Sequence, residues 1–379
     1  MTALGLFGLL PLAIWLYLLS ARGSYWRTGE RDDRDEPAAP ASWPSVIAIV
    51  PARNEADVIA RSIGSLLAQD YPGPFRVILV DDESEDGTAQ IARARDSSGR
   101  LTIIAGSKRP AGWTGKLWAV SQGIVRAGDA SDYLWLTDAD IAHAPDNLRH
   151  LVTRATHGNL VLVSLMAKLR CENWAERFFV PAFVYFFRML YPFSWSNDPG
   201  ARTAAAAGGC MLVKRTALEA GGGIAAIKSA IIDDCALGRL MKSQGPTWIG
   251  LTNRAFSIRP YANMEEIRRM VARSAYAQLE YSPVILTGTL IGLCLMFVFP
   301  PLATIFGDFA IRVTAAATWC LTALSFQPML RFYSRSPLWG FALPLTGLAY
   351  AGFTLDSAIQ HWRGKGGMWK GRAQAMAER

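Results

Sequence analysis

The last hundred residues hold three apolar runs in succession, about Pro283–Phe306, Phe309–Leu330 and Leu338–Ile359. Each is close to the ~20 residues a helix needs to cross the hydrocarbon of a bilayer. In lipid a segment must satisfy its own backbone polar groups, so runs of this kind are restricted to helices. A fourth run, Ala3 to Leu19, is followed by Arg22, Arg27, Arg31 and Arg34. A cleaved signal peptide carries its positive charges before the apolar stretch and small residues at its end. The order here predicts an uncleaved anchor, and the positive-inside rule places the domain after it in the cytoplasm. The expectation is a multi-pass protein of the cell inner (cytoplasmic) membrane.

Three complete late crossings would put Arg363, Lys365, Lys370 and Arg372 outside the cell, against the same rule. One run is then re-entrant or interfacial, and the Pro300-Pro301 break and Asp356 single out the first and third. The number of crossings and the side of the tail stay open. The chain divides into an anchor (1–21), a polar linker (22–44) that reads as a tether, a globular domain (45–281), membrane helices (282–360) and a basic tail (361–379). Charged residues make up 18% of the chain, against about 25% in soluble proteins, and the deficit lies at the two ends.

The net charge of +8 is compatible with nucleic acid or an anionic membrane surface. No zinc-finger, RNP-type or basic-aromatic pattern accompanies it, so a membrane surface is the expected partner and nucleic acid is not. Cys171, Cys210, Cys235, Cys294 and Cys320 form no C-x-x-C pair and have no histidine at zinc spacing. They read as reduced thiols of a cytosol-facing protein. The aromatic stretch Phe178–Trp195 suits either a core helix or the headgroup layer of a bilayer.

Within the globular part, Ser45–Val50 is a short apolar run between prolines, as a strand buried on both faces requires. Val58, Ile59, Ile63, Leu66 and Leu67 then recur at helical spacing until Tyr71-Pro72-Gly73. Strands are predicted at Phe75–Val80, Leu101–Ala105, Tyr133–Thr137 and Asn159–Leu165, with helices near 86–95, 117–125 and from Pro145. This alternation predicts an α/β fold with a parallel-rich sheet. Ligands of such sheets collect beyond the carboxyl ends of the strands. Glu55, Asp81-Asp82, Lys108-Arg109 and Asp138-Ala139-Asp140 each follow a predicted strand.

Two carboxylates spaced i, i+2 at a strand end reach one small site when the chain turns out of the sheet. Hard oxygen ligands suit Mg²⁺ or Mn²⁺, which complete their shell with substrate phosphates. Asp pairs also cap helices, but Asp140 stands far from Pro145 for that. Asp81–Asp86 carries more acid than one cap needs, although Asp86 fits as an N-cap; the excess suits hydrogen bonds to a base or ribose. Lys116, in Gly112-Trp113-Thr114-Gly115-Lys116, opens a helix and can pair with diphosphate, outside any Walker A spacing. Asp233-Asp234 are adjacent like charges, which raises one pKa and favours a proton acceptor; a helix N-terminal pair is the plainer meaning. Arg269 and Arg273 share a helical face before the membrane runs, either solvated or clamping a departing diphosphate.

Taken together, Val50–Glu55, Val80–Thr88, Thr137–Ile141, Gly208-Gly209-Cys210 and Asp233-Asp234 resemble the family 2 glycosyltransferases, over nearly the whole globular part. The resemblance implies a GT-A fold, a Rossmann-like, parallel-rich mixed sheet, here between N-terminal and C-terminal transmembrane helices. It implies that Pro51, Arg53, Glu55 and Asp82 contact the nucleotide, commonly uridine, that Asp138 contacts the nucleotide-sugar, and that Asp140 ligates the metal. Asp234 would be the general base of an inverting transfer, with its neighbour Asp233 the open alternative. The membrane plan is similar to ceramide glucosyltransferases. The Gly112–Lys116 loop, Ile267–Ala275 and Gly367–Arg372 resemble the hopanoid-biosynthesis-associated branch more closely. Related enzymes carry Q/R-x-x-R-W before the membrane; here Arg269-Met-Val-Ala-Arg273-Ser has an extra residue and no Trp, which speaks against processive polymerisation. The expected function is transfer of one sugar from a nucleotide-sugar, a UDP-sugar by preference, to a lipid such as a hopanoid. A polysaccharide synthase and a non-catalytic nucleotide-sugar-binding scaffold are the alternatives. Neither the sugar, the lipid nor the oligomeric state is legible in the sequence.

Overall fold

The computed structural model describes residues 3–35, 37–129, 131–364, 368–369 and 372–373, with side chains from residue 8 to 364. Lys365, Gly367, Lys370 and Gly371 of the basic tail lie outside the described residues. The chain forms two compact units: residues 30–170, 195–260 and 368–379 in one, and residues 1–29, 171–194 and 261–367 in the other.

The first unit is built on an eight-stranded mixed sheet among the described residues. Its strands are β1 (Val46–Ala52), β2 (Phe75–Asp81), β3 (Leu101–Ala105), β4 (Tyr133–Leu136), β5 (Ile141–His143), β6 (Leu162–Lys168), β7 (Met211–Lys214) and β8 (Thr247–Ser257). Their order is β3-β2-β1-β4-β7-β6-β8-β5. The half β3-β2-β1-β4 is parallel, while β7 runs antiparallel to both β4 and β6 and β5 antiparallel to β8. The carboxyl ends of β1 to β4 therefore share one edge. Every residue of β1 is buried, because helices cover both faces.

On one face lies the helix Ala56–Leu67, whose Val58, Ile59, Ile63 and Leu66 turn inward. A fully buried isoleucine such as Ile63 contributes about 1.5–3 kcal/mol by leaving water. On the other face the helix Gly115–Ala127 begins at Thr114, whose hydroxyl accepts from the Leu117 N–H at 3.4 Å. This helix approaches β1 closely: a Cβ at Gly123 would come within 2.5 Å of Ile49. Only glycine allows that approach, and it carries Lys116, in the first turn, to the edge where the strands end.

Two local expectations change. The residues after Asp140 do not leave the sheet but rejoin it as β5 at the far edge, so the acidic triplet is the turn between two strands. Asp86 is not the cap of the helix Thr88–Arg93; Gly87 holds that position in the left-handed region, at φ 86°. The Asp86 carboxylate instead accepts from Thr88 N–H at 3.1 Å and Ala56 N–H at 2.9 Å, joining the starts of two helices.

The linker is also more ordered than a tether. Asp32 N–H bonds to the Leu251 carbonyl, and Asp32 Oδ2 accepts from Thr252 Oγ1 at 2.7 Å and Arg254 at 3.2 Å. Asp35 pairs with Arg154, whose guanidinium lies 4.0 Å from the centroid of Trp248. The mixed charges of residues 30–35 thus match specific partners near β8.

The second unit is helical. Three of its helices are long and apolar enough to cross a membrane: Pro283–Phe306, Phe309–Phe332 and Pro337–Trp362. Val284, Ile291, Phe306 and Phe309 on the first two are exposed, as side chains facing lipid would be. The N-terminal helix Ala3–Ala21 is apolar too, but the part of it with described side chains, Gly8–Ala21, is shorter than a span. Pro300-Pro301 does not break the first long helix. A π-helical turn, Cys294–Val298, precedes the pair and absorbs the mismatch caused by the missing N–H groups. Asp356 in the third is paired with Arg268 of the helix Met264–Ala272 and with Gln360 at 2.6 Å. The aromatic stretch forms the helix Trp174–Leu190, opened by an Asn173–Glu176 capping box. It packs within this unit, Phe179 against Tyr350 and Phe353 and Tyr185 against Phe326.

Candidate active site

The site lies at the carboxyl edge of the parallel strands. The β4–β5 turn carries Asp138 and Asp140, the helix Gly115–Ala127 carries Lys116, and the helix Asp233–Lys242 opens with Asp233 and Asp234. Lys116 Nζ lies 2.8 Å from Asp138 Oδ1 and 3.0 Å from Asp233 Oδ2. Pro51, Thr137, Asp138, Gly208 and Asp233 line a small recess there.

Asp233 and Asp234 are adjacent in sequence and different in environment. Asp233 has Lys116 as its counter-ion. Asp234 has backbone donors, Gly208 N–H at 3.1 Å to Oδ2 and Cys235 N–H at 2.7 Å to Oδ1. Burial, reinforced by the charge of Asp233, pushes the Asp234 carboxyl up to about 6, although Lys116 and those donors pull the other way. Desolvation also raises Asp138, against the pull of Lys116. For Lys116 itself burial opposes the charge, and the carboxylates of Asp138 and Asp233 outweigh it and hold the ammonium protonated. Gly208 packs closely beside them: a Cβ there would lie 3.2 Å from Lys116 Nζ and 3.6 Å from Asp234 Cβ, so Lys116 would have to shift slightly.

Arg259, two residues past β8, is not singled out by any motif in the sequence. It lies 2.9 Å from Asp140 and also pairs with Glu55. Its only trace there is Ser257-Ile258-Arg259-Pro260, an arginine closing a strand. Arg53 holds the loop after β2, donating to the Asp82 carbonyl and, at 3.3 Å, to the Glu83 carbonyl. Glu55 and Asp82 are buried. Arg53, Glu55, Asp82, Lys116, Asp138, Asp140, Asp233 and Asp234 therefore belong to one unit and surround the ends of its parallel strands. Arg269 and Arg273 belong to the other unit, where Arg269 pairs with Glu265 at 2.8 Å and both are exposed.

Asp140 is half-exposed, a hard oxygen donor at a strand end, and fits a small divalent cation that takes its remaining ligands from a diphosphate and water. No cluster of three His, Cys, Asp or Glu side chains suited to a metal occurs among the described residues.

A mixed parallel and antiparallel sheet of this order, flanked by helices and with acidic side chains at the ends of its parallel strands, is GT-A-like in architecture. Residues 47–222 match the family described as Glycosyl transferase family 2. The chain is similar to an N-acetylglucosaminyltransferase of Mesorhizobium japonicum, 29% identical over 147 residues, 38% of this chain and 33% of that protein. It is also similar to the succinoglycan biosynthesis protein ExoO of Rhizobium meliloti, 34% identical over 155 residues, 37% of this chain and 42% of that one. The chain thus spans well under half the length of these curated relatives. Among solved structures, the mannosyltransferase PcManGT from Pyrobaculum calidifontis, in complex with GDP-Man and Mn²⁺, has a TM-score of 0.59 at 19% identity. That likeness covers 96% of this chain and 99% of the other, and it is one of fold.

Proposed function

We propose that the protein is a membrane-bound inverting glycosyltransferase that moves one sugar from a nucleotide-sugar to a lipid hydroxyl. The observation that carries this reading is the division of labour between Asp233 and Asp234. Asp233 is neutralised by a direct ion pair with Lys116, while Asp234 is held by backbone N–H groups and raised toward neutrality. A carboxylate poised near the working pH is suited to accept a proton.

In this mechanism Asp234 takes the proton of the acceptor hydroxyl as its oxygen attacks the anomeric carbon. The bond from that carbon to the diphosphate oxygen breaks, the diphosphate leaves with the electron pair, and the configuration inverts. Pro51, Arg53, Glu55 and Asp82 frame the nucleoside, and Asp138 holds the sugar or ribose. Lys116 contributes fixed positive charge beside the diphosphate. Asp140 is the residue that would hold a Mg²⁺ or Mn²⁺, which would supply further positive charge beside the departing diphosphate. Arg269 and Arg273 are assigned to the diphosphate or acceptor.

The helices Pro283–Phe306, Phe309–Phe332 and Pro337–Trp362 support a lipid acceptor, with the N-terminal helix as an additional anchor and the catalytic unit in the cytoplasm. A UDP-sugar as donor and a hopanoid or related lipid as acceptor rest on the motif resemblance alone. The test incubates the full chain in detergent with a panel of nucleotide-sugars and total membrane lipid, with and without Mn²⁺, and reads products by mass spectrometry. A metal-dependent glycolipid that Asp140→Ala and Asp234→Ala abolish is the expected result. No lipid product and no metal-dependent nucleotide release from any donor would overturn the reading.

A further inference from the structure

Beneath the β4–β5 turn lies a chain of buried polar side chains that the transfer mechanism does not use: Trp135, Thr137, His143, Asn147 and Cys210. Their protons can be assigned by counting. Thr137 has one hydroxyl hydrogen and lies 2.8 Å from the Gly209 carbonyl oxygen, which can only accept. That hydrogen is therefore committed, so the other neighbour of Thr137 Oγ1, His143 Nε2 at 2.9 Å, must donate to it. A neutral imidazole has a single N–H. His143 is buried, and burial pushes its pKa down to about 3, so the ring is neutral. Nδ1 is then an acceptor, and Asn147 must present its amide nitrogen to it, at 3.0 Å.

The ring is held on its remaining sides. Trp135 lies 4.6 Å away between ring centroids, and the His143 backbone N–H donates to Ser65 Oγ at 3.0 Å. The consequence is a bonded path between two parts of the site. Thr137 is the residue before Asp138. Gly209 follows Gly208, whose N–H donates to Asp234 Oδ2 at 3.1 Å. Cys210, next in the same loop, is tied to the same place by Trp135 Nε1 at 3.4 Å and Asn147 Nδ2 at 3.7 Å.

We propose that His143, fixed as its Nε2–H tautomer, is a positioning residue that sets the separation of Asp138 and Asp234 through Thr137 and the Gly208-Gly209 loop. This assignment rests on the reading of Asp234 as the base. If the imidazole donor is lost, Thr137 is free to turn from Gly209, and the loop that orients Asp234 loses its register against Asp138. Misplacement of a reacting group by about 1 Å costs on the order of a hundredfold in rate.

Two kinds of measurement on the full chain in detergent micelles test it. Thr137→Val keeps the volume and removes the hydroxyl, Thr137→Ser keeps the hydroxyl, and His143→Phe keeps a ring and removes the donor. The expected result is a fall of about ten- to a hundredfold in kcat for Thr137→Val and His143→Phe, with the donor KM within about twofold and Thr137→Ser near wild type. A wild-type kcat in Thr137→Val refutes the proposal, whatever its melting temperature. Nitrogen-15 NMR of the histidines, with His143 identified by its loss in His143→Phe or its shift in Thr137→Val, reads the tautomer directly. A neutral ring with hydrogen on Nε2 supports the relay, and hydrogen on Nδ1 overturns it. The NMR result decides on the relay even where wild-type protein transfers no sugar, an outcome that would instead sink the transferase reading.

Discussion

If Asp234 is the base, the acid limb of kcat/KM reports its ionisation in the free enzyme. With a pKa of about 6, roughly nine-tenths of Asp234 is ionised at pH 7 and roughly one-tenth at pH 5. The rate is then expected to fall by about tenfold across that interval, with unit slope below the bend. The neighbours give the limb a direction when they are changed. Asp233 raises the Asp234 pKa through like charge, and Lys116 lowers it through opposite charge. Asp233→Asn removes the first influence, so its limb moves to lower pH. Lys116→Met removes the second, so its limb moves to higher pH. Each variant is measured against its own plateau, because both changes also alter donor binding. Initial rates of nucleoside diphosphate release between about pH 4.5 and 8.5, at constant ionic strength and metal, provide the data. A wild-type limb centred below about pH 4.5, or an Asp233→Asn limb that moves upward, refutes the account of the base.

Three further outcomes are expected from the geometry. Gly208→Ala places a Cβ 3.2 Å from Lys116 Nζ and is expected to cost about tenfold or more in kcat/KM while shifting stability by less than about 1 kcal/mol, since the crowded atom ends a flexible chain; transfer rates and thermal unfolding check both parts. His143 ordinarily titrates at 6.5 and is held at about 3 when folded, so its contribution is present above pH 6.5 and is lost as pH falls, by about 2 kcal/mol at pH 5. Unfolding profiles of wild type and His143→Phe, taken from neutral pH down to about pH 5, should converge by that amount. Cys294 and Cys320 are free and exposed on helices long enough to cross a bilayer; in intact membranes they are expected to resist a charged maleimide and to react once detergent is added, as mass spectrometry of the labelled peptides would report.

The part of the fold that was legible in the sequence is the part where local pattern and burial agree. β1, the helix Ala56–Leu67 and β2 arise directly from short apolar runs, inward residues at helical spacing and prolines or glycines at their ends. The acidic strand ends were legible for the same reason, since a carboxylate after a buried apolar run has few uses other than a cap or a ligand. β5 was not legible, because three residues leave no measurable period and their strand character comes from pairing with β8. The linker resembles a tether in sequence because its charges find their partners Arg154, Thr252 and Arg254 only in the folded chain. The Pro300-Pro301 pair is misleading as a break because a π turn upstream relieves it.

By itself the sequence determined that Asp138, Asp140, Asp233 and Asp234 are available as ligands or bases, and that apolar helices adjoin them in the chain. It could not separate Asp233 from Asp234, which are the same residue type one position apart. Only the tertiary structure did so, by placing Lys116 against Asp233 and backbone N–H groups against Asp234. It alone brought Arg259 to Asp140 and Glu55, and His143 beneath Thr137. Ionisation and tautomer depend on charge, burial and donors within a few ångströms of a group. Those neighbours come from segments far apart in the chain, so the properties that decide the chemistry are set by folding.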